Sequence, residues 1–258
     1  MASTRQANLL LTFMRILKKE IMDSEQEVMA YDLVVSRYLD IVHAAFAETV
    51  INLSPSKGKF LDLGTGTGWD SILIAKNTVN VQICAVDLSD VMLKMATNNS
   101  RKEGVGEKIN FIKADAKSLP FEDGSFDAVF SQNMLHHQPE PEMMLAEIRR
   151  VVKPAGAVII RDLVRHSKLV NTFCVNSLAC NYDQVMKKEY EKSILAAFSR
   201  KEWLDLIKKM GLSGSRMTTQ FMTHASIERP SAKRRTDYVK VVNPFYKRVL
   251  ASFYISKL

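Results

Sequence analysis

Residues 60–68 read Phe-Leu-Asp-Leu-Gly-Thr-Gly-Thr-Gly. Four residues of buried-strand character run into three glycines at alternate positions, Gly64, Gly66 and Gly68, and a helical stretch follows. Glycine admits positive φ and lets a ligand lie directly against the backbone. In an open α/β sheet such a loop sits at the carboxyl end of a strand, where these sheets bind ligands. A glycine-rich turn alone does not specify a nucleoside, so the neighbouring strands have to be read with it.

Outward from this loop, short β-rich runs alternate with helical ones. The strand-like runs are Phe60–Leu63, Gln82–Leu88, Ile109–Ala114, Ala128–Ser131 and Ala157–Leu163. Helical stretches fall near Asp70–Lys76, Asp90–Glu103 and Pro141–Val152. This rhythm predicts parallel strands joined by crossover helices on both faces of the sheet. Upstream, apolar periodicity predicts helices over about 5–22 and 27–52.

Downstream, residues 166–197 break the rhythm with helical material carrying Phe173, Cys174, Cys180, Tyr182, Met186 and Tyr190. Ser199 and Glu202 have capping-box spacing for a helix through Met210 that Gly211 closes. Met217–Met222 and His224–Glu228 fit a final antiparallel pair. The stretch Arg229–Leu258 is basic but keeps Tyr238, Val241, Phe245, Tyr246, Leu250, Phe253 and Tyr254, and is expected to pack. The chain reads as one domain: a helical cap over 1–55, a cofactor-binding core over 56–165, a helical lid over 166–197, the end of the core over 198–230 and a basic extension over 231–258.

Composition bounds the function. With 258 residues, 47% hydrophobic, the chain can bury one sizeable core. No apolar run approaches the roughly 20 residues that span a bilayer. Cys84, Cys174 and Cys180 have neither metal-ligand nor disulfide-framework spacing, which points to a reducing, cytoplasmic setting and to no metal. The formal charge of +8 gathers at the two ends, with Arg5, Arg15, Lys18 and Lys19 in one and Lys233, Arg234, Arg235, Lys240, Lys247, Arg248 and Lys257 in the other. Contact with nucleic acid or an anionic surface stays open on this ground, with a solvated basic surface the preferred reading; a homodimer is compatible. Residues 1–19 lack acidic side chains, as targeting segments do, but the apolar period continues to Ile21 and favours a packed helix.

Acidic residues at the next strand ends sharpen the reading of the loop. Asp87 ends the second strand, near the roughly 20-residue offset at which a carboxylate accepts from ribose hydroxyls. Asp115 follows the third strand, where it can accept from an adenine amino group. Asp is common in turns on its own account, but a glycine loop and two acidic ends in register together favour a nucleoside cofactor.

At this point the resemblance becomes specific. Leu61 through Gly68, with Val86-Asp87-Leu88-Ser89, Ala114-Asp115-Ala116, Leu119-Pro120-Phe121, Ser125-Phe126-Asp127, Leu135-His136-His137 and Arg149-Arg150-Val151-Val152-Lys153-Pro154, resembles the class I S-adenosylmethionine-dependent methyltransferases, type 11. The branch is the one that includes ubiquinone and menaquinone methyltransferases. The resemblance covers about 55–165. It implies a Rossmann-like seven-stranded sheet of order 3-2-1-4-5-7-6 with strand 7 antiparallel, and S-adenosylmethionine as cofactor with S-adenosylhomocysteine as product.

The resemblance further implies cofactor contacts from Tyr31, Asp62, Gly64, Thr65, Gly66, Gly68, Asp87, Leu88, Asp115, Ala116, Ser131 and Gln132. Tyr31 resembles a tyrosine that closes over the cofactor, and Asp62 could hold the ammonium. Two departures stand out: Trp69 follows the loop in place of a smaller or aliphatic residue, and the turn Lys153-Pro154-Ala155-Gly156 keeps one glycine where the family has two. Against NAD, the third glycine comes one residue early for a dinucleotide loop, and Asp70 near the helix start would repel a pyrophosphate.

Methyl transfer from a sulfonium asks mainly for position and exclusion of water, and for a base only when the acceptor is neutral. His137, ahead of His136, is the candidate base; both follow the fourth strand. Asn133, Asp162 and Phe173 are candidates for the acceptor side. No Asn-Pro-Pro-Tyr type motif for planar amino groups is present, so a small organic acceptor is expected. An RNA- or protein-modifying enzyme and a catalytically silent binding module are the alternatives.

Overall fold

The computed structural model describes residues 15–17, 22–38, 40–178, 184–220 and 223–241. Two helices, α1 (Glu25–Tyr38) and α2 (Asp40–Leu53), precede the sheet. Then come β1 (Lys57–Leu63), α3 (Trp69–Lys76), β2 (Asn80–Asp87), α4 (Asp90–Lys102), β3 (Ile109–Lys113) and β4 (Phe126–Gln132). A 3₁₀ turn (Leu135–His137), α5 (Pro141–Val151) and β5 (Val152–Leu163) follow. The chain continues through α6 (Lys168–Leu178), α7 (Gln184–Ala196), α8 (Arg200–Met210), β6 (Arg216–Gln220) and β7 (His224–Arg229).

The seven strands order as β3-β2-β1-β4-β5-β7-β6, parallel from β3 to β5, with β7 antiparallel to both its neighbours. This is the order the resemblance implies. Successive strand residues point to opposite faces, and β1 shows it: Leu61 and Leu63 enter one core while Phe60 enters the other. The first core is closed by α5 and α8, with Leu145, Ile148, Trp203 and Leu206. The second is closed by α2 and α3, with Phe46, Val50, Ile72 and Ile74. Parallel strands buried on both faces are near-continuous apolar runs for this reason.

The capping box of Ser199 and Glu202 forms as its spacing predicts, and Gly211 closes α8 in the left-handed conformation. The segment 27–52, expected as one helix, is divided between α1 and α2. Within 5–22, residues 15–17 and 22 are described and are not helical; the others lie outside the described residues, as do Cys180, Tyr182, residues 221–222 and everything after Val241. Residues 239 and 241 pack on the second core, and Val241 N donates to Glu48 Oε2 (2.9 Å), so the start of the basic extension is docked on α2. Helices α6 and α7 build a small separate core around Leu163, Cys174, Val175, Ile194 and Ala197. Among the described residues no helix is long and apolar enough to cross a membrane.

Gly68 shows why the loop is glycine-rich. Its φ of 88° lies in the left-handed region, and a Cβ there would meet Ala96 Cβ at 2.9 Å. Gly68→Ala is therefore expected to cost about 2–3 kcal/mol through backbone strain and overpacking between α3 and α4. Urea denaturation measures it, and an unchanged midpoint would refute the close approach.

Candidate active site

The turn after β1 is fixed to the end of β2. Gly64 N and Thr65 N both donate to Val86 O (2.9 and 3.0 Å), and Gly66 N donates to Asp87 Oδ2 (2.9 Å). Gly64 and Gly66 have φ of 70° and 54°, which disfavours any side chain. A Cβ on Gly64 would collide with Met134 Cγ at 2.4 Å; one on Gly66 would lie 3.8 Å from Tyr31 Cε1. The Tyr31 ring thus lies over the glycine loop, and its hydroxyl is held well above the usual range by burial and by Asp70, Asp87 and Asp32.

Carboxylates concentrate here. Asp62 is buried, and its Oδ2 accepts from Thr65 Oγ1 (2.8 Å) and Ser71 Oγ (2.7 Å). Burial pushes its carboxyl up and the charges of Asp70 and Asp87 add to it; the two hydroxyls offset part, leaving the pKa at about 7. Burial also raises Asp87, against backbone hydrogen bonds from Ser89, Gly66 and Leu88. Asp70 Oδ1 lies 2.7 Å from His43 Nδ1. Burial alone would lower the His43 imidazole, but the charge and hydrogen bond of Asp70 outweigh it and raise the pKa. Half-buried Asp115 accepts from Lys117 N at 2.9 Å, just beyond β3, and Ala116 after it is buried in the first core.

The segment after β4 forms the facing wall. Ser131 Oγ donates to Leu63 O (2.8 Å), tying the end of β4 to that of β1. The buried Gln132 places Nε2 3.3 Å from His43 Nδ1. Asn133 takes φ 53°, unusual for a residue with a side chain, while its N–H donates to Arg161 O (2.9 Å). His136 follows in the 3₁₀ turn. Its backbone N–H donates to Asp162 Oδ2 (2.8 Å), and its Nδ1 lies 2.7 Å from Asp162 Oδ1. Burial works to raise the Asp162 carboxyl, but the charge and hydrogen bonds of His136, with the Leu163 N–H, bring it below the ordinary value. The Nε2 atom of His136 is buried without a hydrogen-bond partner, as are Gln132 Oε1, Asn133 Oδ1 and Gln138 Oε1. The rings of His136 and His137 lie 4.1 Å apart.

The strand ends therefore gather Asp62, Gly64, Thr65, Gly66, Asp87, Ser131 and Gln132, with Tyr31 above them. Gly68 closes the loop's far side and Leu88 is half-buried beside Asp87. Asp162 faces His136 across 2.7 Å and is fully buried. Phe173 is 55% exposed on α6. Sequence reading missed His43, Asp32 and Arg15. The last donates from Nη2 to His136 O (2.8 Å) and Gln138 O (2.6 Å) and from Nε to Ala196 O (2.6 Å). His43 sits among apolar helix residues and Arg15 in a generally basic segment, so neither carried a distinguishing local signal. Among the described residues no three His, Cys, Asp or Glu side chains are placed to hold a metal ion.

A parallel sheet with a glycine turn on β1 and acidic ends on β2 and after β3 defines a Rossmann-like nucleoside-binding class. Residues 61–160, from β1 through most of β5, match the family model described as "Methyltransferase domain". The chain is 38% identical over 102 residues to a demethylmenaquinone methyltransferase of Clavibacter sepedonicus, covering 40% of each chain. It is 30% identical over 134 residues to the methyltransferase GfsG of Streptomyces halstedii, covering 49% of this chain and 48% of that one. A SAM-dependent methyltransferase from Aquifex aeolicus shares the fold with a TM-score of 0.59 at 17% identity, over 80% of this chain and 98% of that one. The match spans between about a quarter and three fifths of the length of the curated relatives.

The raised Asp62 carboxyl has a consequence for the ligand-free protein. The folded state holds a proton on Asp62 up to about pH 7, whereas the unfolded chain loses it near 4. Stability therefore falls as pH rises between those values, and the cost is fully present above pH 7. An Asn oxygen can accept both hydroxyl bonds, so Asp62→Asn is expected to stabilise the ligand-free protein at pH 8 by on the order of 2–4 kcal/mol and hardly at all at pH 4. Denaturation at the two pH values tests it; an equal effect at both would refute the shift.

Proposed function

We propose that this chain transfers a methyl group from S-adenosylmethionine to a small organic acceptor. The observation that carries the reading is the acidic crevice: Asp62 and Asp87 lie at adjoining strand ends, and the charges of Asp87 and Asp70 both act on Asp62. A cofactor bearing an ammonium and a sulfonium supplies the missing positive charge, and a pyrophosphate would add to the repulsion. The residues present suit this group. Asp87 would accept from the ribose hydroxyls, Asp115 from the adenine amino group, and Asp62 would hold the ammonium, while Gly64, Thr65, Gly66 and Gly68 would leave the backbone bare for it. When bound, the cofactor supplies a methyl group already activated on sulfur.

The protein's remaining tasks are to orient the acceptor, exclude water and take a proton from a neutral nucleophile. His136 is the better placed of the two histidines. Asp162 accepts from its Nδ1–H, which leaves Nε2 as the basic nitrogen, and that atom is buried with no other partner. His137 stacks on it and, with Asn133, completes that wall. Helices α6 and α7 and the cap form the lid, with Phe173 on its outer part. Relatives named for 27-O-demethylrifamycin SV and for demethylmenaquinone take small organic acceptors by those names, which agrees with an enclosed wall more than with a nucleic-acid surface.

Two measurements separate these roles. Asp87→Ala is expected to weaken S-adenosylmethionine binding by at least about 1–3 kcal/mol; equal affinities by calorimetry would place the ribose elsewhere. His136→Ala is expected to lower kcat at least about tenfold with cofactor affinity nearly intact, because a base acts on the transition state. Once a screen of metabolite extracts with labelled cofactor has supplied an acceptor, steady-state kinetics decide. A full rate in His136→Ala with loss in His137→Ala would move the base to His137.

A further inference from the structure

We infer that Trp69, Asp32 and Asn99 form a latch that holds α1, and with it Tyr31, over the glycine loop and sets the rate at which cofactor and product exchange. This rests on the cofactor reading above.

Trp69 is the residue by which the loop departs from the family pattern, and the structure gives its indole a definite use. Nε1 donates to Asp32 Oδ1 at 2.9 Å. The same oxygen accepts from Asn99 Nδ2 at 2.9 Å, and Asn99 Nδ2 also lies 3.1 Å from Thr67 O. One carboxylate oxygen on α1 is thus joined to the first residue of α3, to α4 and, through Asn99, to the glycine loop. A smaller aliphatic side chain at 69 has no N–H to offer. The start of the cap is held as well, by Ser89 Oγ donating to Met22 O at 2.7 Å.

Among the described residues α1 is otherwise tied to α4 by the exposed Lys94–Glu25 pair (3.3 Å). Of its apolar residues Val28 and Val35 are buried, while Met29 and Leu33 are 62% and 59% exposed. An element with few buried apolar contacts opens at low free energy, and polar ties then control how often it does so. Tyr31 precedes Asp32 in the chain, so fixing the carboxylate fixes the ring above Gly66, where a Cβ would come within 3.8 Å. A ligand lying along the loop beneath that ring leaves only when α1 lifts. Asp32 and Trp69 are positioning residues in this scheme; they act through Tyr31.

The test uses Trp69→Phe, which keeps an aromatic ring and removes the N–H, beside Asp32→Ala and Asp32→Asn. Dissociation of S-adenosylhomocysteine, followed by stopped flow, is expected to accelerate about five- to tenfold in Trp69→Phe and Asp32→Ala, the effect of a lost charge-assisted hydrogen bond. Asp32→Asn, which retains an acceptor oxygen, is expected to recover most of the slow rate. Amide exchange of residues 25–38 in the ligand-free variants should quicken while that of β1 to β5 stays unchanged. Tight wild-type binding with unaltered dissociation in both variants overturns the latch alone, as does faster exchange spread over the whole sheet. A wild type that binds neither S-adenosylmethionine nor S-adenosylhomocysteine overturns the cofactor reading itself.

Discussion

The site depends on one set of sideways ties, in which each strand end is bonded to its neighbour's. Val86 O takes the N–H groups of Gly64 and Thr65, Asp87 takes that of Gly66, and Asp87 O takes that of Ala114. Ser131 Oγ ties β4 to Leu63 O on the other side. Buried backbone groups need partners, and a sharp turn leaving a central strand has its donors free at that point. Satisfying them on the adjoining strand brings the loop, the Asp87 carboxylate and the segment after β3 into one crevice. The glycines follow from this requirement, because the turn that makes these bonds has positive φ at Gly64 and Gly66.

Charge is arranged against the same frame. Four carboxylates, Asp32, Asp62, Asp70 and Asp87, act on the Tyr31 hydroxyl or on one another. Desolvation penalises each of those that are buried, and like charges compound the penalty. Asp70 lies 2.7 Å from His43 Nδ1, and Asp32 accepts from the Trp69 and Asn99 donors. Among the described residues Asp62 takes two hydroxyls and Asp87 takes peptide N–H groups, and both stay above the ordinary carboxylate range. An unrelieved negative charge of this kind is stability held back in the ligand-free protein, and a bound cation releases it.

The fold was legible in the sequence because periodicity survives averaging. Strands buried on both faces read as apolar runs, and the predicted runs fall within or across β1 to β5 with boundary errors of a few residues. The capping box at Ser199 and the closing Gly211 were readable for a different reason, since their geometry is local. The sheet order was not in the periodicity at all and came with the resemblance. At the site, residues inside the glycine motif and at strand ends were legible. Those brought in from distant segments were not: His43 reaches Asp70 across 27 positions, Asp32 reaches Trp69 across 37, and Arg15 reaches His136 across 121. Nothing local marks a side chain whose partner is set only by tertiary packing.

The two histidine–aspartate pairs show how differently one pairing can be used. In each, an imidazole Nδ1 lies 2.7 Å from a buried carboxylate. His43 has Gln132 Nε2 3.3 Å away at that same Nδ1, on the wall between α2 and the loop after β4, and its proton chiefly neutralises Asp70. His136 has its Nε2 left bare, and Asp162 is bound from both the backbone N–H and the ring. A carboxylate held at three points cannot turn away, so the imidazole it holds is fixed in tautomer and in plane. Arg15 adds a second restraint by donating to the carbonyls of His136 and Gln138 and to Ala196 O at the end of α7. The end of α7 is thereby joined, through one guanidinium, to the backbone that carries His136.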